Sequence, residues 1–350
     1  MASDLIAAIL PVIVTLLLGY FAGWHHDFDI KRAAVLIQMV MSYALPITLF
    51  SGPLAMPRQQ IAAQWSLALT IAAAMMAAYG IVLFLSRIIF KRDIMTASLQ
   101  SLMVSTPSTF VGVPVLGHLF GNEHTILIAV VGMVFSLILL PTTMILLAAG
   151  RAKTSPASEN ASELSGEIIH ALRQPLVWAP LLAVVFVLTG LQLPLPLRQS
   201  FLLLGNTTGG VALFGCGIYL YSIRITVGTE AALLVAGRNI IVPAASLVAM
   251  LLLSFEANAV REIVVTLALP VVAVGLALAV RYGVAEQQMA SILFFSTVLS
   301  FLTIAAFFGC LHKFNIVANF VGRSQNKDCM RSPLSIYRLG KFGFNTREAS

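Results

Sequence analysis

The densest run of groups able to do chemistry is Ser105-Thr106-Pro107-Ser108-Thr109-Phe110-Val111-Gly112-Val113-Pro114, with four hydroxyls and two prolines in ten residues. A second proline–glycine pair, Pro270 and Gly275, repeats the P-x4-G spacing of Pro107 and Gly112, 163 residues further on. Proline deletes a backbone donor and clashes with the preceding helical turn. Two helices should therefore unwind at these positions. Freed N–H and C=O groups cannot face lipid and must line a cavity or be buried in protein. Half-helices starting after such breaks carry partial positive charge at their N-terminal ends, a suitable seat for an anion. Thr106, Pro107, Ser108, Thr109, Gly112, Pro270 and Gly275 are the candidate substrate-binding residues. The competing reading is that Ser and Thr hydroxyls only bond their own helix backbone.

Such breaks are informative only if the flanking runs lie in a membrane. Of 350 residues, 59% are hydrophobic and 10% charged, with a mean hydropathy of +0.94. Soluble domains of this size are roughly half apolar and about a quarter charged. The excess excludes a soluble enzyme, a nucleic-acid-binding domain and a secreted disulfide scaffold. Three cysteines, Cys216, Cys310 and Cys329, are too few and scattered for a disulfide framework or a metal site. Ten stretches approach the ~20 apolar residues a spanning helix needs, at 3–24, 33–51, 64–89, 94–119, 125–149, 175–191, 199–221, 233–255, 259–280 and 288–311. Their continuous apolar character speaks against a β-barrel. The first stretch has no basic n-region and reads as a retained helix.

The segment 150–174, rich in Ala, Ser and Glu, divides the ten into five and five. Lys and Arg concentrate in the loops after the odd-numbered stretches, which places those loops in the cytoplasm and the amino terminus outside. An odd number of spans per half inverts the second half, the inverted-repeat plan of many secondary transporters. The expected organisation is 1–149 as a first repeat, 150–174 as a cytoplasmic linker, 175–312 as a second repeat and 313–350 as a polar, disordered tail. The tail holds 7 Lys+Arg against 2 Asp+Glu, leaving 14 against 12 elsewhere, so +5 of the net +7 belongs to it. Disordered basic segments of this kind are sometimes attracted to anionic headgroups.

These residues together resemble the auxin efflux carrier family, whose members include plant auxin exporters and bacterial malonate-carrier-like proteins, over about 1–312. The resemblance rests on Leu10-Pro11 through Gly19-Tyr20, Tyr43-Ala44-Leu45-Pro46 through Leu49-Phe50, and Pro107 through Gly112-Val113-Pro114. It also rests on Gln174-Pro175-Leu176-Val177-Trp178-Ala179-Pro180 and on Arg238 followed by Pro243. Ser108 stands where members often carry an asparagine. The resemblance implies an all-α integral membrane protein of ten transmembrane helices, arranged as two inverted five-helix repeats whose broken helices 4 and 9 cross. It implies a scaffold of helices 1, 2, 6 and 7, homodimerisation through helices 2 and 7, and a mobile transport domain made of the rest. The implied activity is elevator-type secondary transport of a small organic anion, malonate-like or another carboxylate, across a bacterial inner membrane. The alternative is a channel or a non-transporting membrane subunit with the same scaffold.

Neither cofactor nor metal is expected, and no nucleic-acid partner. HExxH, Walker A, zinc-spaced Cys/His and G-x-S-x-G patterns are missing from the sequence. Arg238 reads first as an anchor near the cytoplasmic end of its helix, where it can snorkel, and second as an electrostatic attraction for an anion. Gln38 and Asn206 read as bonds between neighbouring helices. Helix interiors are expected to hold essentially no Asp or Glu.

Overall fold

The computed structural model describes residues 2–54, 65–121, 126–154, 175–191, 193–222, 228–253 and 255–329. Residues Met1–Phe307 form the larger of two compact units; the second is Phe308–Ser350. Among the described residues the structure is all helical, with one isolated backbone bridge.

Helix α1 is Ala2–Trp24, with Pro11 inside it. Helix α2 (Ile30–Met39) continues through a π-turn, Val40–Ala44, into α3 (Leu45–Leu54). Helix α4 is Trp65–Ile88. Two short helices follow, α5 (Ile94–Ser105) and α6 (Thr109–Phe120). Helix α7 (Ile126–Val134) passes through the π-turn Phe135–Leu139 into α8 (Leu140–Thr154). Helix α9 is Pro175–Thr189, with Pro180 inside it, and α10 is Leu195–Ser222. Helix α11 (Thr229–Ala236) joins α12 (Val242–Leu252) through the π-turn Gly237–Ile241. Helices α13 (Ala257–Leu267) and α14 (Val274–Tyr282) are a second short pair, and α15 is Glu286–Cys329. The last helix does not stop near residue 312; its backbone continues to Cys329. Once nucleated, a helix gains a hydrogen bond per added residue, so a polar segment can extend an apolar one.

Among the described residues, six helices are long and apolar enough to cross a membrane: Ile30–Ser51, Ser66–Ile88, Leu127–Arg151, Leu195–Ser222, Thr229–Leu252 and Glu286–Leu311. Shorter apolar helical stretches are Ile13–Trp24, Ile94–Ser105 and Pro175–Val187. Of the expected linker 150–174, residues 150–154 are the end of α8, and 155–174 lie outside the described residues.

Two packing regimes position the rest. Helices α1 and α10 press together at glycines: a Cβ on Gly19 would overlap the carbonyl of Phe214, and one on Gly217 the carbonyl of Leu16. Small residues that admit a neighbouring backbone are the usual device for joining helices in lipid, where apolar burial itself gives little drive. On its other side α1 exposes Leu10, Leu17, Leu18 and Phe21. Helix α10 meets α3 at Thr48, whose hydroxyl donates to Gly205 O (3.2 Å) and lies 2.8 Å from Thr208 Oγ1. By contrast, every residue of α5 from Met95 to Ser105 is buried.

Candidate functional site

The two chain breaks fall where the prolines predict. Thr106 is extended (φ −106°, ψ 113°) and ends α5, as the residue before a proline prefers. Pro107 follows, and Ser108 (φ −69°, ψ 112°) opens α6. The second break separates α13 from α14 and contains Pro270. They lie side by side: Pro107 and Val271 form an antiparallel bridge, and Ser108 N–H donates to Pro270 O at 2.8 Å. Each break thus satisfies part of the other's freed backbone, as burial away from water requires.

The expected glycines serve this crossing through close approach. A Cβ at Gly112 would run into Ile128 and Leu269, and one at Gly275 into Met103. Leu269 immediately precedes Pro270, and Met103 lies one turn before Pro107. Each half-helix therefore has a glycine where residues preceding the other break press in.

The hydroxyls divide. Ser105 Oγ donates to Leu102 O at 3.3 Å, the self-satisfied arrangement, and lies 3.4 Å from Thr106 Oγ1. Ser108, although at the N-cap position of α6, makes no side-chain cap bond. Its backbone N–H, expected to be open to an anion, is instead committed to Pro270 O. The donors left at this helix start are those of its first turn, beginning at Thr109. Thr109 is half-buried, with its methyl 3.8 Å from where a Gly132 Cβ would stand.

Arg238 corrects the reading as an interfacial anchor. It sits in the π-turn Gly237–Ile241 with no exposed surface. Its guanidinium donates from Nη1 to Val104 O at 3.3 Å and from Nη2 to Leu269 O at 2.9 Å. In an unbroken helix Val104 O would accept from Ser108 N–H, the group turned toward Pro270. Arg238 thus takes up a carbonyl the break released, together with the carbonyl preceding the second proline. Both carbonyls lie just beyond or within the last turns of α5 and α13, helix ends that carry partial negative charge. Its Nε is buried and has no partner among the described residues.

Next to it, Asn239 links α15 to the second break. Ser296 Oγ donates to Asn239 Oδ1 (2.7 Å), Asn239 Nδ2 donates to Ser296 O (2.8 Å), and Val271 N–H donates to Ser296 Oγ (3.2 Å). Sequence reasoning missed Asn239 and Ser296; the adjacent Arg-Asn pair inside an apolar run was the available signal. Gln38 and Asn206, by contrast, lie on exposed faces.

Carboxylates are also nearer than expected. Glu262 is buried in α13. Glu230, at the start of α11, pairs with Arg92 and accepts from Gln100 Nε2 at 2.7 Å, while Gln100 also donates to Gln288 Oε1 at 3.1 Å. The hydrogen bond and charge of Glu230 raise the Arg92 pKa further. Tyr219 of α10 donates to Glu286 Oε2 of α15 at 2.6 Å. Among the described residues no group of three or more His, Cys, Asp or Glu side chains could hold a metal.

The sequence profile of the family described as membrane transport protein matches residues 4–308. The chain belongs to that family, the auxin efflux carriers. The chain is also similar to the uncharacterized transporter YfdV of Escherichia coli strain K12, 28% identical over 287 residues that cover 81% of this chain and 90% of the relative. The proteins of the same name from Escherichia coli O157:H7 and Shigella flexneri match at the same 28% identity and coverage. The chain is thus an integral, multi-pass helical membrane protein.

Proposed function

We propose that this chain is a secondary active transporter of a small organic anion, malonate-like or another carboxylate, working by elevator-type alternating access. The observation that carries this reading is the crossing itself. Helices α6 and α14 begin on either side of the Pro107–Val271 bridge, and helix N-terminal ends favour anions. Ser108 and Thr109 would supply side-chain donors there, Thr106, Pro107 and Pro270 the broken backbone, and Gly112 and Gly275 the close packing that holds it. In this reading the chain makes ten spans as two inverted repeats, 1–149 and 175–312, in a bacterial inner membrane with the amino terminus outside. Helices α1, α2–α3, α9 and α10 form the scaffold, and the remaining helices move. The exposed polar groups Gln38 and Asn206, set in apolar spans of that scaffold, support a homodimer through these helices.

Malonate binding to purified protein tests the site. Ser108→Ala and Thr109→Val should each weaken it roughly ten- to a hundredfold, the loss of one charge-assisted hydrogen bond of ~1.5–3 kcal/mol. Ser136→Ala is the control, since that hydroxyl bonds its own helix at Met133 O. Unchanged affinity in both site variants would put the site elsewhere. In proteoliposomes a carrier gives saturable uptake accelerated by substrate on the far side; flux without counterflow would indicate a channel, and no flux a non-transporting subunit.

A further inference from the structure

Unwound carbonyls and half-helix C-terminal ends are where secondary transporters coordinate a coupling Na+. Here two such carbonyls, Val104 O and Leu269 O, accept from Nη1 and Nη2 of one arginine, at 3.3 Å and 2.9 Å respectively. That arginine has no exposed surface, and no carboxylate among the described residues pairs with it. A buried charge is normally paired or coordinated, yet this one has only carbonyl dipoles and an Nε without a partner. Oxygen dipoles around a lone positive charge are the chemistry of a hard-cation site. We propose that the guanidinium of Arg238 is the resident cation of the crossing, a tethered charge that holds the two broken helices together in the place a Na+ or K+ ion would otherwise take.

Three features fit this assignment. The π-turn Gly237–Ile241 buries Arg238 and Asn239, two adjacent residues, on the inner side of one helix. Asn239 fixes the turn through Ser296, which in turn holds Val271 N–H beside Pro270. The arginine also joins both breaks, in parallel with the bond from Ser108 N–H to Pro270 O. Arg238 is a positioning residue: it holds the C-terminal ends of α5 and α13, the half-helices that run into the breaks from which α6 and α14 start. The transport consequence is that binding and flux need no monovalent coupling cation. That consequence rests on the transport reading; the assignment of the charge does not.

The test is thermal unfolding of the purified full chain in choline, sodium, potassium or guanidinium chloride, at equal low millimolar ionic strength. The parent should unfold at one Tm in all four salts. Arg238→Ala should lose roughly 5 °C or more, for two charge-assisted hydrogen bonds. Millimolar guanidinium should restore much of that loss, with urea, its neutral analogue, restoring none. Saturable stabilisation of the parent by Na+ or K+ would overturn the proposal. So would an alanine variant as stable as the parent, or one that no cation restores. If Arg238→Ala yields no folded protein, Arg238→Lys and Arg238→Met decide: both keep a long stem, and only lysine keeps the charge. The lysine variant should be clearly the more stable, and equal stability would overturn the proposal. In vesicles, replacing Na+ by choline should leave flux by the parent unchanged. No flux under any condition, with the thermal results as expected, would sink the transport reading and leave the role of Arg238 standing.

Discussion

The pair α1–α10 and the crossing of α5–α6 with α13–α14 solve the same difficulty with opposite materials. Between α1 and α10 the contact is backbone against backbone, at Gly19 and Gly217, and the outer face of α1 is apolar and open. At the crossing the contact is polar: Ser108 N–H, Arg238, Asn239 and Ser296 are joined in one buried set of bonds. The difference follows from what surrounds each. A helix with one side exposed can keep its backbone fully bonded and needs only a close fit. A broken helix must hand its orphaned groups to other protein groups, so it has to be wrapped, and α5 is wrapped on every side.

The sharpest way to break this contrast is to overfill the glycine contact. Gly217→Leu should destabilise by ~3 kcal/mol or more, since the obstacle is the Leu16 carbonyl and not a side chain that can turn away. Gly210→Leu, on the same helix with nothing within 4 Å of the added Cβ, should leave Tm nearly unchanged. Equal losses would mean that the close approach of α1 and α10 is unimportant. On the polar side, Ser296→Ala removes the acceptor of Val271 N–H and the donor to Asn239. About 2 kcal/mol of stability should be lost, and an unchanged denaturation midpoint would show the network to be dispensable.

A third, smaller change addresses the join between the proposed scaffold and the proposed moving part. Tyr219→Phe removes the bond from α10 to Glu286 on α15, at a loss of about 1 kcal/mol. On the elevator reading, substrate exchange should quicken if release of this bond limits the motion; a slower exchange would count against the bond as a restraint. The smallest effect is expected at the start of α5. Asp93 caps it, accepting from Thr96 N–H at 3.1 Å. Partial burial works against the Asp93 carboxylate, but the Thr96 hydrogen bonds outweigh it and hold the pKa below its usual value. The folded form is therefore favoured by this group above the ordinary aspartate pKa, and that share of stability fades as pH falls through the lowered value. Asp93→Ala should cost ~0.5–1 kcal/mol at neutral pH and make the acid limb of the stability profile shallower. An acid limb identical to the parent's would remove Asp93 from that account.

Pro107 and Pro270 were legible because a missing donor and a ring clash weaken a helix locally, and their shared P-x4-G spacing set them apart from Pro11 and Pro180, which continuous helices absorb. The apolar runs were equally plain, since length and composition suffice. Arg238 was misread because its partners, Val104 O and Leu269 O, are backbone atoms of segments remote in sequence. A lone arginine in an apolar run then looks like one reaching for the headgroups. The fate of Ser108 N–H was hidden for the same reason, as its acceptor belongs to the other break. Gly19 stood in a motif, but nothing in the chain's order tells that its opposite number is Phe214.

The three π-turns among the described residues share one detail. Each ends in a residue that donates to the carbonyl five places back and is followed directly by proline: Leu45 to Val40 before Pro46, Leu140 to Phe135 before Pro141, and Val242 to Gly237 before Pro243. A wide turn of this kind is equivalent to one residue inserted into an α-helix, and one residue is about 100° of rotation. The rods α2–α3, α7–α8 and α11–α12 are therefore phase joints, in which the two ends of one helix obey different neighbours. Deleting Ile240 alone would be expected to bring the third back into ordinary register. The stretch from Thr229 to Asn239 would then be turned by about a quarter of a revolution relative to α12, and the arginine would no longer point at the crossing.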